Sequence, residues 1–309
     1  MTALAVPAAA ASRRPVPWTR LAWVTWRQHR AALAGAAALL GALSLYLLIY
    51  GLRISNAYAG VTSCHPFSSA ACQQLRRAFQ QRYWGGGASI IQSGGAQTIS
   101  GLLQVVPVLL GVFLGAPVLA RELETGTFRF AWTQGSGRLR WTIAKLALLA
   151  VALTAAAFAF SVLFSWYYHP FLAQGLTTEF LPVLFNLRGV DFAAWTLIAF
   201  AISAFAGAAI RRTVPAMAAS LAAWAVLLAV TMLILRPHYE APLTARGSGL
   251  ARTAWVVSQS ITGPNGNGLF TYQPQSRFWT FQLIEGGWLL VLAVLLGAAT
   301  IWLVRRRAA

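Results

Sequence analysis

From Ile99 to Ala120 the chain reads ISGLLQVVPVLLGVFLGAPVLA, and from Arg121 to Lys145 it reads RELETGTFRFAWTQGSGRLRWTIAK, before an apolar run resumes at Leu146. The first block carries no ionisable side chain and reaches the roughly 20 apolar residues that a helix needs to cross the ~30 Å hydrocarbon core. The second block holds two of the six acidic residues, Glu122 and Glu124, with Arg121, Arg129, Arg138, Arg140 and the only lysine, Lys145. Charge this dense between two membrane-length apolar blocks marks a loop that meets water and a partner.

The same length test finds six apolar runs: Ala32 to Leu52, Ile99 to Ala120, Leu146 to Tyr167, Phe192 to Ile210, Val214 to Leu235 and Gly287 to Val304. None contains Asp, Glu, Lys, Arg or His. Barrel strands would be shorter and would alternate in polarity, so helices are expected. The fold expected is therefore an all-α polytopic membrane protein of six transmembrane helices, a single transmembrane domain over residues 18–309. Residues 1–17, rich in Ala and Pro with Arg13 and Arg14, read as a disordered tail. The run that follows is too long for a secretory signal, so no cleavage is expected. Charged residues make up 10% of the chain against about 25% in an average soluble domain.

The net charge of +18 would suit a nucleic-acid binder, but 58% hydrophobic content assigns the arginines to membrane topology instead. With the N-terminus in the cytoplasm, the inner segments hold 15 Lys and Arg and the outer segments 9. Long translocated loops count little in this rule, and two of the outer loops, residues 53–98 and 236–286, are long. Both termini are therefore expected inside. Cys64 and Cys72 then share the first outer loop, where an oxidising compartment permits a disulfide. With His65 they match no standard zinc spacing, so no metal is expected.

Several local readings follow. Trp18 to Arg30 (WTRLAWVTWRQHR) suits an interfacial helix whose Arg20, Arg27 and Arg30 reach lipid phosphates, or a plain juxtamembrane anchor. The glycines between Gly85 and Gly95 read as a linker. Gly111 and Gly115 form a GxxxG pair for close helix packing, within the chain or between subunits, and Pro107 and Pro117 predict kinks. Arg211, Arg212 and Thr213 make a tight turn between the fourth and fifth runs. Phe278, Trp279 and Phe281 read either as an aromatic belt or as a short helix dipping into the outer leaflet.

No GxxxxGK[ST] occurs, so no P-loop binds ATP in this chain, and His29, His65, His169 and His238 form no HExxH. No catalytic residue is assigned. Ion-coupled carriers place ionisable groups at membrane depth, whereas these runs offer neutral groups such as Gln104, Ser44, Thr154, Ser161, Ser203 and Thr231. Any driving force is expected from another polypeptide.

The run of Pro107, Gly111, Gly115, Ala116 and Pro117, then Ala120-Arg121-Glu122, Glu124, Gly126-Thr127, Arg129, Ala131-Trp132-Thr133-Gln134, Arg138, Arg140-Trp141 and Lys145, resembles the permease subunits of ABC-2 type exporters, particularly their actinobacterial group. Arg277-Phe278-Trp279, Phe281-Gln282 and Glu285 form a second similar motif, and the order of spans and loops agrees throughout.

The resemblance implies that residues 121–145 form a coupling segment seated on a separate ABC ATP-binding subunit, which would hold ATP and magnesium. It also implies a second permease subunit, identical or different, with the second and fifth spans facing a central cavity, in a bacterial cell membrane. In that reading Arg121, Glu122 and Glu124 offer partners for opposite charges, Gly126 allows a turn, and Trp132 and Trp141 supply buried anchors. A non-transporting membrane anchor or immunity-type protein is the alternative class. A channel would want a ring of charges or a carbonyl filter, which no run offers.

Overall fold

The computed structural model describes residues 17–84, 95–126, 138–247, 254–261 and 268–307. The tail 1–16, the linker glycines 85–94 and residues 127–137 of the charged bend lie outside them. Six helices are long and apolar enough to cross a membrane, so the chain is an all-α polytopic protein with one small sheet added.

Helix α1 runs unbroken over Trp18–Thr62, so the stretch Trp18 to Arg30 and the first apolar run are one helix of 45 residues. At 1.5 Å per residue it is roughly 67 Å long, about twice the length needed to cross the hydrocarbon core. Helix α2, Ala70–Tyr83, starts at Ser69, whose hydroxyl accepts from the Cys72 amide at 3.3 Å. Cys64 and Cys72 are disulfide-bonded, with Cα atoms 5.6 Å apart, and clamp the turn from α1 into α2.

The second span is built from α3, Ala96–Leu103, and α4, Val106–Thr125. The break follows from Pro107, which has no amide to give Leu103 and whose ring disfavours a helical residue before it. Around the break Gln104 and Val105 donate three residues back, to Gly101 and Leu102, at 3.3 Å each. Pro117 is accommodated inside α4, which stops at Gly126 with φ +71°, a left-handed cap that glycine adopts without strain.

Helix α5 spans Arg138–Ala173, the short α6 spans Pro182–Phe185, and α7 spans Asp191–Ile210. Arg211, at φ 61°, closes α7 and turns the chain directly into α8, Thr213–Val230. The fifth span continues as a π-helical turn over Thr231–Leu235 and a 3-10 turn over Arg236–His238. That wider turn ends directly before Arg236, and π-bulges are frequent at functional sites.

Strands β1 (Leu243–Gly247), β2 (Trp255–Ile261) and β3 (Gly268–Gln273) then form an antiparallel sheet in the order β1-β3-β2. A 3-10 turn over Gln275–Arg277 leads into α9, Phe278–Arg307. Phe278, Trp279 and Phe281 are thus the first turn of the last span, and no separate dipping helix precedes it.

Helices α4 and α7 are the most buried spans, and α1 and α8 the least. Glycine explains how close the central pair comes. A Cβ on Gly111 would stand 2.6 Å from the Ala199 carbonyl carbon, one on Gly115 2.7 Å from the Phe200 oxygen, and one on Gly207 2.6 Å from the Ala116 oxygen. The GxxxG pair is therefore consumed within the chain. Gly111→Leu is expected to lower stability by about 1–3 kcal/mol through overpacking, while Gly35→Leu, with nothing within 4 Å, changes little. Thermal melts in detergent check this, and equal midpoints for the two variants would contradict it.

Candidate functional site

Polar chemistry gathers at the two ends of the helix bundle. At the end carrying the bend, Glu122, in the last turns of α4, meets Lys145, eight residues into α5. The Lys145 side chain is fully buried and its ammonium lies 3.9 Å from the centroid of the Trp141 ring, one turn earlier on the same face of α5. Ion pair and cation–π contact together satisfy a charge that burial would otherwise make costly.

Glu124, in the same turn of α4, accepts from the Thr213 amide at 3.2 Å and the Thr213 hydroxyl at 2.9 Å. A carboxylate thus caps the first turn of α8, where free amides and the helix dipole favour it. Those amide and hydroxyl bonds hold the Glu124 carboxyl against the α7–α8 turn. Arg140 lies over the Trp18 ring at 4.8 Å, which adds the start of α1. The loop after α4 therefore leaves from a vertex where α1, α4, α5 and the α7–α8 turn meet.

The structure leaves Arg121 exposed and gives Glu122, Glu124, Trp141 and Lys145 partners inside the chain. Trp141, expected to anchor a partner, is buried in the core because α5 has already begun at Arg138 and winds it inward beside Lys145. Neither Trp141 nor Lys145 presents itself to another subunit. Thr127, Arg129, Trp132, Thr133 and Gln134 lie outside the described residues.

The opposite end holds a network that the apolar runs conceal. Arg236 donates from Nε to Glu285 Oε2 at 2.9 Å and from Nη2 to Glu285 Oε1 at 2.5 Å, and both side chains are almost wholly buried. Glu285 also accepts from Trp195 Nε1 at 3.0 Å and from the Tyr239 hydroxyl at 3.1 Å, and Trp288 Nε1 donates to that hydroxyl at 3.0 Å. Burial, and then the adjacent Glu285 carboxylate, push the Tyr239 phenol up, so it stays a donor.

The guanidinium reaches further, to Asn186 Oδ1 at 2.6 Å, and packs 4.1 Å from the Phe185 ring. Asn186 Nδ2 in turn donates to Gln104 Oε1 at 3.1 Å, and Gln104 Nε2 to the Val183 carbonyl at 2.7 Å. Gln282 Oε1 accepts from the Val190 and Asp191 amides at 3.0 and 3.2 Å, and Nε2 donates to the Phe185 carbonyl at 2.9 Å. Asp191, fully buried at the start of α7, lies within electrostatic reach of Glu285 and Arg236. One cluster so joins the α3–α4 break, α6, α7, the end of α8 and the start of α9.

Sequence reading missed this cluster because its charges sit just beyond the runs: Asp191 one residue before Phe192, Arg236 one after Leu235, and Glu285 two before Gly287. With alternating span directions all three fall at the same end of the bundle, and that coincidence is the signal available in the sequence.

A family model described as ABC-2 membrane transporter related matches residues 37–236, more than half of the chain. The protein belongs to that family. No curated protein and no solved structure matches the chain. As an ABC-2 family member it is a permease component of an ABC transporter and a multi-pass bacterial membrane protein, and membership implies association with an ATP-binding subunit and the bilayer. The match takes in the Glu122–Lys145 vertex and ends on Arg236, so the ABC-2 region contains one half of the buried ion pair and α9 supplies the other.

Proposed function

We propose that this permease is the membrane half of an ATP-driven exporter, with both termini and residues 121–145 in the cytoplasm. ATP and magnesium belong to the partner subunit, and the surface that partner grips is Arg121, Gly126 and the segment running to Arg140. The observation supporting the reading is the vertex beneath that segment. Glu122–Lys145 ties α4 to α5, Glu124–Thr213 ties α4 to the α7–α8 turn, and Arg140–Trp18 adds α1.

Force applied to the bend would reach the first five spans together, because packed helices move as discrete bodies. At the far end, the Arg236–Glu285 cluster would hold the outer side closed until those spans separate. A second permease chain completes the pathway. The exposed apolar face of the fifth span, with Val214 and Val226 of α8 and Leu233 of the π-helical turn each more than 60% exposed, is available to it.

Two measurements test the reading. A Thr127→Cys variant should resist an impermeant maleimide on intact cells and react in inverted vesicles, since the native cysteines are tied in their disulfide. Purification in mild detergent should bring down a stoichiometric soluble ATP-binding subunit. Labelling from outside would put the bend in the wrong compartment, and repeated absence of the ATPase would favour a non-transporting anchor.

A further inference from the structure

Between α1 and α5 lies a groove of about 550 Å³. Leu33, Ala37 and Leu40 of α1 and Ala156 of α5 make its walls apolar, and Arg30 and Trp26 stand at one end. Beyond Arg30 the apolar part of the groove has the depth of one leaflet. From Arg30 to Leu40 the helix rises roughly 15 Å, half of the ~30 Å hydrocarbon core. A helix from a second subunit would need a groove across the whole membrane, whereas a lipid tail needs one leaflet.

Charge points the same way. Helix α1 contains no acidic residue, and among the described residues no carboxylate lies within ion-pair distance of Arg30. Arg30 is exposed at the groove's mouth, and Trp26, 56% exposed, sits beside it at the depth where indole rings meet headgroups. Arg27, on the neighbouring face, is stacked 5.4 Å over the Trp23 ring, so its charge stays near the same interface.

We propose that this groove binds one anionic phospholipid, with its phosphate at Arg30 and an acyl chain along Leu33, Ala37 and Leu40. Both ends of the lipid are then matched: the guanidinium donates to the phosphate oxygens, and the tail covers apolar wall that the chain itself leaves open. The inference stands apart from the exporter reading, because binding is measured without any ATPase.

The test is native mass spectrometry of the full chain from micelles holding equal phosphatidylglycerol and phosphatidylcholine. The wild type is expected to retain one phosphatidylglycerol in preference to phosphatidylcholine. Arg30→Gln should weaken retention about fivefold, the usual worth of one basic residue at an anionic surface. Ala37→Phe, at an exposed position where the larger ring fills the groove without disturbing the core, should abolish retention of both lipids. Arg53→Gln, at the opposite end of α1, should retain lipid as the wild type does. Equal retention of the two lipids by the wild type, or unchanged retention in Arg30→Gln or Ala37→Phe, would overturn the site.

Discussion

Arg236→Met should destabilise the permease by about 3–5 kcal/mol, the usual cost of removing one partner from a buried ion pair. The carboxylate left behind is fully buried, and it would keep only the Trp195 and Tyr239 donors. Asn186 Oδ1 would lose its guanidinium as well. Glu285→Leu should cost a similar amount from the other side, by stranding the guanidinium against Phe185. The double variant Arg236→Met with Glu285→Leu should recover most of the loss, because replacing a whole buried pair by apolar groups of similar volume is often neutral.

Thermal unfolding in detergent separates these cases. Single variants that melt with the wild type would mean that water reaches the pair and that it does not hold the outer end, whereas a double variant as weak as the singles would mean that Trp195, Tyr239 and Asn186 need the pair as their partner. A stable double variant would also show whether the pair serves transport, since folding would no longer confuse the readout.

What the sequence disclosed followed the scale of the signal. Six charge-free runs of membrane length are long-range patterns that no tertiary contact overrides, and each lies within a membrane-length helix of the structure. Of the two prolines expected to kink the second span, Pro107 falls just after the break at Gln104 and Pro117 lies inside an unbroken α4.

The sheet was less legible. Trp255 to Ile261 and Gly268 to Gln273 carry the β-branched and aromatic residues of strands, but in a chain dominated by apolar helices such short stretches read as loop. The register that pairs Leu243 with Tyr272 and Val256 with the same Tyr272 is set by non-local contact.

The site was legible at one end only. Glu122, Glu124 and Lys145 stood out because charge is scarce, yet spacing along the chain could not show that Glu122 and Lys145 pair across 23 residues. Nor could it show that Glu124 caps a helix 89 residues away. The Arg236–Glu285 pair spans 49 residues, and each member reads alone as an ordinary charge at a span's end. The packing of α8 and α9 against α7 brings them together, and an apolar run does not name the helix it will pack against.

Exchanging the charges at the vertex, Glu122→Lys with Lys145→Glu, should restore what either reversal alone removes. Glu122→Lys by itself sets two ammonium groups together where Lys145 is fully buried and Glu122 only a fifth exposed, at a cost of about 3 kcal/mol, the lower end for a broken buried pair. Lys145→Glu should do the same with two carboxylates and also lose the contact with Trp141. Glu124→Lys differs, because that carboxylate is exposed and its hydrogen bonds go to Thr213. It should leave the melting temperature near the wild type while uncoupling the α7–α8 turn from α4. Melting in detergent and the ATPase rate of the assembled transporter, measured on all four variants, distinguish a folding contact from a coupling one. If the vertex transmits force, Glu124→Lys lowers the transport-linked ATPase rate without loss of stability, and the exchanged pair recovers both. An exchanged pair that melts like the wild type but stays uncoupled would assign coupling to the identity of the Glu122 carboxylate itself. Wild-type ATPase rates in every reversal would remove the vertex from the path by which ATP moves the spans.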